Sequence, residues 1–312
     1  MSRETSPAAS GPVLVLLGPT ATGKTAIAVE VALRIDGEIV SADSRAFFEG
    51  LDVVTAKPTV SECRGVPHHL IGAVPLDRSY DAMTFRQDVD RLIPEIASRG
   101  RTSILAGGGT LYLGAVLRGI FEGPSKDEAL RCALEDVPIE DLHERLRRVD
   151  PVAAASIHRN DRLRIVRALE VHQATGRPIS DWQTEARPLP YDFVVFGLQR
   201  EREDHRAAIE DRVGEMLAAG LVDEVRDVIE RGLAPEAQAY RTIGVPEVVA
   251  HVEGRTTQEE MVKAIVRQTW ALARRQRAWF RRDRGVIWVD VTGRSAEDLA
   301  GEIVTTWKER IG

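Results

Sequence analysis

Five short apolar runs recur along the chain: VLVLL (13–17), EIVSA (38–42), TSILA (102–106), FVVFGL (193–198) and VIWVDV (286–291). Their length and apolar character predict buried strands. A helical pattern follows the first run through Ile35, and another begins near Leu111, after the third. Strands alternating with helices predict an α/β fold around a parallel sheet. Ligands of such sheets bind beyond the carboxyl ends of the strands, where this sequence places residues 18–25, Asp43 and residues 107–110. From about 121 to 187 no strand-like run occurs. ALRCALEDVPIEDLHERLRRVD and RLRIVRALEVHQATG are helical patterns there, with a stop at Gly176-Arg177-Pro178.

The stretch GPTATGKT (18–25) fits the phosphate-cradling loop G-x-x-x-x-G-K-[ST], with Gly18, Gly23, Lys24 and Thr25 at the defined positions and Pro19, Thr20, Ala21 and Thr22 between them. Its strand–loop–helix context is the one the motif requires. Backbone N–H groups and the helix N-terminus bind anionic oxygens, Lys24 adds a point charge, and the Thr25 hydroxyl is placed to ligate Mg²⁺. The expected fold is thus α/β: a P-loop parallel-sheet core (11–120 with 190–312) carrying an inserted helical domain (121–189) behind a flexible, polar N-terminus (1–10). The loop specifies a polyphosphate, not what that polyphosphate is attached to.

Asp43 could hold a metal, accept a proton from a nucleophile or cap a turn, and its spacing does not choose among these. Lys57, one of only five lysines, stands in LDVVTAKP (51–58) as a second phosphate contact or an exposed turn residue. HRNDRLRIVR (158–167) puts Arg159, Arg162, Arg164 and Arg167 on one helical stretch, either a phosphate-reading surface or a charged helix face.

With 43% hydrophobic and 29% charged residues the chain has a globular, soluble make-up, and no run approaches the roughly eighteen apolar residues of a membrane span. No signal-peptide pattern opens it, and Cys63 and Cys132 lack metal-ligand spacing, so reduced thiols in a cytoplasmic protein are expected. A net charge of −6 argues against a nucleic-acid partner until its distribution is considered. From 257 to 284 eight cations (Lys263, Arg267, Arg274, Arg275, Arg277, Arg281, Arg282, Arg284) outnumber three anions (Glu259, Glu260, Asp283), enough for a local basic face. Trp270, Leu272, Trp279 and Phe280 are read as packing residues, with the arginines between them exposed.

In order, GPTATGKT, GEIVSADSR, GLDVVTAKPT, VPHHLI, LAGGGTLYL, DPVAAASIHRNDRLRIVRALEV, GLVDEV and RRQRAWFRRD resemble the motifs of the tRNA dimethylallyltransferases across residues 13 to 291. The resemblance implies that the loop binds the diphosphate of dimethylallyl diphosphate with Mg²⁺. It implies transfer of the five-carbon unit to N6 of the flipped-out adenosine 3′ to the anticodon, in tRNAs that read codons beginning with U, with release of diphosphate. Asp43 would accept the N6 proton and Arg212 would grip the diphosphate. Carried over position by position, contacts to the tRNA anticodon loop would come from Asp43, Ser44, Arg45, Ala46, Gly109, Arg131, Leu163, Arg164, Ile165, Val166, Arg167, Arg241, Thr242, Ile243, Gly244, Val245 and Pro246. A monomer is expected, because no extended apolar interface pattern is evident.

Several positions depart from the family pattern. DSRAFF stands where D-S-x-Q-x-Y is common, so Ala46 and Phe48 lack a polar side chain and a phenol hydroxyl. Val54 replaces the glycine before T-A-K-P, Gly109 stands in place of a hydroxyl residue beside Thr110, and Val245 replaces the tyrosine after Gly244. None touches Lys24, Thr25, Asp43 or Arg212, so transfer chemistry is expected to persist. The rival readings are a kinase using the same loop, a transferase acting on free adenine nucleotide, and a tRNA-binding homologue weakened in catalysis. ATP turnover, prenylated AMP, or salt-sensitive tRNA binding without product would reveal each in turn.

Overall fold

The structure is a computed structural model describing residues 11–125 and 127–312; the expected flexible stretch 1–10 lies outside the described residues. Strands β1 (Val13–Leu17), β2 (Gly37–Ser41), β3 (His68–His69), β4 (Thr102–Gly107), β5 (Phe193–Gln199) and β6 (Ile287–Asp290) form one parallel sheet in the order β3-β2-β4-β1-β5-β6 among the described residues. Helices α1 (Lys24–Ile35), α2 (Val60–Cys63), α3 (Ala82–Ser98) and α4 (Thr110–Leu117) accompany the first four strands. Helices α5 (Glu128–Glu135), α6 (Ile139–Val149), α7 (Pro151–Ser156), α8 (Arg162–Thr175) and α9 (Ile179–Thr184) precede β5. After β5 come α10 (Arg202–Ala218), α11 (Leu221–Glu230), α12 (Val245–Val252) and α13 (Gln258–Phe280), and after β6 comes α14 (Ala296–Ile311).

All five apolar runs became strands, with ends displaced by a residue or so, the usual uncertainty of frayed termini. β1 lies between β4 and β5, and every one of its residues is at most 1% exposed, which is why its run is apolar throughout. Leu14 and Leu16 pack into a cluster with Ile27 and Val31 of α1 and Ile303 and Trp307 of α14. β3 has no apolar run to announce it: its two histidines pair with Ile39 and Val40 at the edge of the sheet.

The strand order sets the ends of β2, β4 and β1 side by side. Leu17 stands opposite Gly107 and Ser41 opposite Ala106, so the three chains leave the sheet almost level. Gly107 makes this possible, since a Cβ there would lie 2.3 Å from the Ala42 carbonyl group. The Gly109 N–H then donates to Ala42 O at 2.9 Å.

The chain divides into two compact units, one comprising residues up to Gly114 with Pro190–Gly312 and the other Ala115–Leu189. The second begins several residues before the 121 expected from sequence. There the Leu189 N–H donates to Val116 O at 2.9 Å, so the entering and leaving segments are hydrogen-bonded to each other. Its core joins Leu134, Leu142, Leu146, Ile165, Val171 and Ile179. Asp150, 1% exposed, accepts the Ala153 and Ser180 N–H groups at 2.8 and 2.9 Å, fixing the start of α7 and the chain entering α9.

Glu170, also 1% exposed, is buried in the same unit. Its carboxylate accepts Arg131 Nε at 2.9 Å, the Asp127 N–H at 2.8 Å and an Arg167 guanidinium N–H. Burial works to raise its pKa, but the two guanidiniums and the Asp127 N–H together outweigh burial and hold it at about 2. Between the ordinary carboxylate range and about 2 the unfolded chain binds the extra proton, so this contribution to stability is complete above that range and is lost as pH falls through it. Glu170→Gln is expected to destabilise the unit by about 3 kcal/mol, because it leaves two arginines without their counter-charge. Urea melts followed by Trp182 fluorescence at pH 7 and pH 3 check both statements: the deficit at pH 7 should shrink at pH 3.

Candidate active site

The phosphate loop is shaped by what surrounds it. β1 ends at Leu17, and a Cβ on Gly18 would come within 3.0 Å of Leu198 O on neighbouring β5. Ala21 (φ 59°) and Gly23 (φ 77°) take left-handed backbone, which curls the loop back onto the first turn of α1. Thr22 Oγ1 donates to Pro19 O at 2.8 Å, and Lys24 Nζ donates to the same carbonyl at 2.6 Å. Burial pulls the Lys24 pKa down to about 8, with Asp43 opposing that shift and Arg212 adding to it.

Asp43 follows β2, and its Oδ1 accepts the Arg45 N–H at 3.0 Å. Arg212 on α10 donates to Thr55 O at 3.0 Å; burial lowers its pKa, while Asp43 and Glu215 raise it. Loop, strand end and helix therefore bring Asp43 within electrostatic range of two partly desolvated cations, Lys24 and Arg212. The turn carrying Thr55 is held by Glu224 of α11, whose carboxylate accepts the N–H groups of Asp52, Val53 and Val54 at 2.7, 2.6 and 2.8 Å. No motif argument had singled out Glu224, though it lies within GLVDEV.

The other expected positions divide. Ser44 and Arg45 are half-buried near Asp43, and Arg45 donates to Gln238 O at 2.8 Å. Ala46 and Phe48 are buried, Phe48 completely, so both depart from the family pattern inside the core. Gly109 could not carry a side chain in this geometry, because a Cβ would meet Ala42 O at 2.6 Å; Thr110, half-buried, opens α4. Lys57 is corrected from phosphate contact to internal strut: it donates to Phe48 O at 2.5 Å and Asp52 Oδ1 at 2.6 Å. Arg241 is exposed and Ile243 and Pro246 are half-buried, but Thr242 and Val245 are buried and can offer little beyond backbone. Gly244 (φ 108°) approaches Val54 so closely that a Cβ would lie 2.5 Å from its Cγ2.

In the helical unit Leu163 is 74% exposed and Arg164 is exposed, whereas Ile165 and Val166 lie in the core, because a helix turning every 3.6 residues cannot show five consecutive side chains on one face. Arg131 and Arg167 are committed to Glu170, and Arg162 donates to Leu134 O and Val137 O at 2.9 and 2.6 Å. The basic helix α13 shows the same division. Arg274 and Arg275 are exposed as expected, but Arg277 is half-buried, donating to Arg200 O at 3.2 Å and sharing a hydrogen bond with His205. Phe280 is fully buried, and the Trp270 ring meets His205 edge-on at 5.5 Å, in keeping with a packing role. Gln276 and His205, absent from the sequence argument, both touch the phosphate loop. The available signal was a pair of polar residues on core-facing helix positions.

Comparison with known proteins gives one answer. The IPP transferase family profile matches residues 46–283. The tRNA dimethylallyltransferase of Geobacter metallireducens is 43% identical over 288 residues, covering 90% of this chain and 93% of the relative. That of Symbiobacterium thermophilum is 44% identical over 297 residues, 93% of each. The crystal structure of the full-length tRNA isopentenylpyrophosphate transferase from Bacillus halodurans superposes with a TM-score of 0.73 at 33% identity over 97% of both chains. Matched over most of its length by the family profile and by these relatives, the chain belongs to the IPP transferase family.

Proposed function

We propose that this protein transfers the dimethylallyl group of dimethylallyl diphosphate to N6 of the adenosine 3′ to the anticodon in tRNAs reading codons that begin with U. The observation that carries the reading is Asp43, a carboxylate within electrostatic range of two half-buried cations, Lys24 and Arg212, next to a phosphate loop. An exocyclic amine is a poor nucleophile, because its lone pair is delocalised into the ring. The reaction therefore depends on breaking the allylic C–O bond and stabilising the charge that appears on the departing diphosphate. In this reading Lys24, Arg212 and the amides at the start of α1 perform that task. Asp43 takes the proton that N6 loses as the C–N bond forms.

Mg²⁺ belongs to the reading. Among the described residues no group of three or more His, Cys, Asp or Glu is arranged as a metal cage, so the ion would sit on diphosphate oxygens, water and the Thr25 hydroxyl. That sparse set suits a cation that keeps several waters. When bound, it neutralises charge on the leaving group.

No described helix is long and apolar enough to cross a membrane. Incubation with Mg²⁺, dimethylallyl diphosphate and unmodified tRNA, then nucleoside mass spectrometry, tests the proposal. Isopentenyladenosine should appear in tRNA and not in an AMP control. Product on AMP alone would move the assignment to free nucleotide, and tRNA binding without product would leave only a binding protein.

A further inference from the structure

We propose that Gln276 and His205 are positioning residues that hold the backbone of Thr20 in the phosphate loop and thereby set the protein's affinity for diphosphate. The inference rests on the reading that residues 18–25 bind that group.

Both backbone polar groups of one loop residue, Thr20, are taken up by side chains from distant helices. The Thr20 N–H donates to Gln276 Oε1 at 3.0 Å, and His205 Nε2 lies 2.7 Å from Thr20 O. Gln276 is 7% exposed and His205 is fully buried, while Thr20 is half-buried, so loss of these hydrogen bonds would strand desolvated side-chain groups. The second end of Gln276 donates from Nε2 to Gly108 O at 2.8 Å, tying the phosphate loop to the loop after β4. The fit is close: a Cβ on Gly108 would lie 2.6 Å from that nitrogen and 3.1 Å from Gly18 O.

His205 has a defined tautomer. A carbonyl oxygen can only accept, so Nε2 carries the hydrogen toward Thr20 O. Nδ1 is left to accept from the Arg277 guanidinium at 2.9 Å. With Nδ1 accepting from Arg277 the ring is neutral; burial, and after it the Arg277, Arg200 and Lys24 charges, lower its pKa against the raising effect of the hydrogen bond to Thr20 O. The brace is therefore uncharged and leaves Lys24 and Arg212 as the cations facing the ligand. A glycine-containing loop held on both sides of one residue has lost freedom it would otherwise lose on binding, the condition under which affinity rises without a new ligand contact.

The test compares Gln276→Met and His205→Phe, which keep volume and remove the hydrogen bonds, with His205→Gln, whose amide can donate to Thr20 O and accept from Arg277. Each is titrated calorimetrically with Mg²⁺-pyrophosphate and with tRNA, and assayed for KM and kcat. Gln276→Met and His205→Phe are expected to weaken pyrophosphate binding about tenfold or more and to raise KM for dimethylallyl diphosphate in parallel. Their tRNA affinity should stay within about twofold, and His205→Gln should remain within about threefold of wild type.

Folded variants that bind pyrophosphate like wild type would reduce both residues to core packing and overturn the proposal. So would a loss in His205→Gln equal to that in His205→Phe, or a loss confined to tRNA affinity. Should either Gln276→Met or His205→Phe not fold, the other decides. If wild type itself fails to bind pyrophosphate, the phosphate-loop reading falls first, a result distinct from any variant's behaviour.

Discussion

Asp43→Ala is expected to lower single-turnover prenylation of tRNA by about 10³-fold, within the range for removal of a general base. Affinity for tRNA and for dimethylallyl diphosphate should change far less. A carboxylate at this position has two jobs open to it, since Oδ1 also accepts the Arg45 N–H at 3.0 Å and so closes the turn after β2. Asp43→Asn separates them. Its amide oxygen keeps the turn, but its neutral side chain cannot take a proton. If Asn and Ala are equally inactive, proton acceptance is the job that matters. An active Asn variant would make Asp43 a turn residue and sink the base assignment.

The second large effect concerns Lys24. With its pKa drawn down to about 8 by burial, the free enzyme carries this charge fully only below that pH. A bound diphosphate stabilises the ammonium, so above about pH 8 binding requires proton uptake. Affinity should be flat below pH 8 and fall by about tenfold per unit above it. Lys24→Met should abolish the slope and weaken binding about 10- to 100-fold at pH 7. Stability moves the other way. Between about 8 and the ordinary lysine value of 10.5 the unfolded chain binds more protons, so folding stability rises with pH across that window. Below it the folded protein carries a charge that is partly desolvated. Lys24→Met should therefore raise the Tm of the ligand-free protein at pH 7 while weakening the ligand. Calorimetric titrations from pH 7 to 9.5 and a thermal melt decide; a drop in Tm together with affinity would make Lys24 a structural residue through its bond to Pro19 O.

What could be read in advance follows from how local each property is. GPTATGKT announces its role because the loop's geometry is written into neighbouring residues: a glycine at φ 77°, a lysine and a hydroxyl opening a helix. The strands were visible because burial on both faces demands apolar side chains. β3 was invisible because its pairing depends on Ile39 and Val40, not on its own composition. The arginines were the least legible. Composition counts a guanidinium as a surface charge, yet Arg131 and Arg167 are committed to Glu170 and Arg277 to His205. Lys57 misled for the same reason, its partners being Phe48 O and Asp52.

The α/β core and the family could be read from periodicity and ordered motifs, because these are properties of residues near one another in the chain. Which charges are free to act and which are consumed internally depended on packing between distant segments. That packing set Asp43 within electrostatic range of Lys24 and Arg212, tied the 52–54 turn to Glu224, and spanned the phosphate loop with Gln276 and His205. The physical reason is that desolvation and hydrogen-bond partnership belong to a place in space, and residues as far apart as Thr20 and Gln276 share such a place only once the sheet has aligned its strand ends.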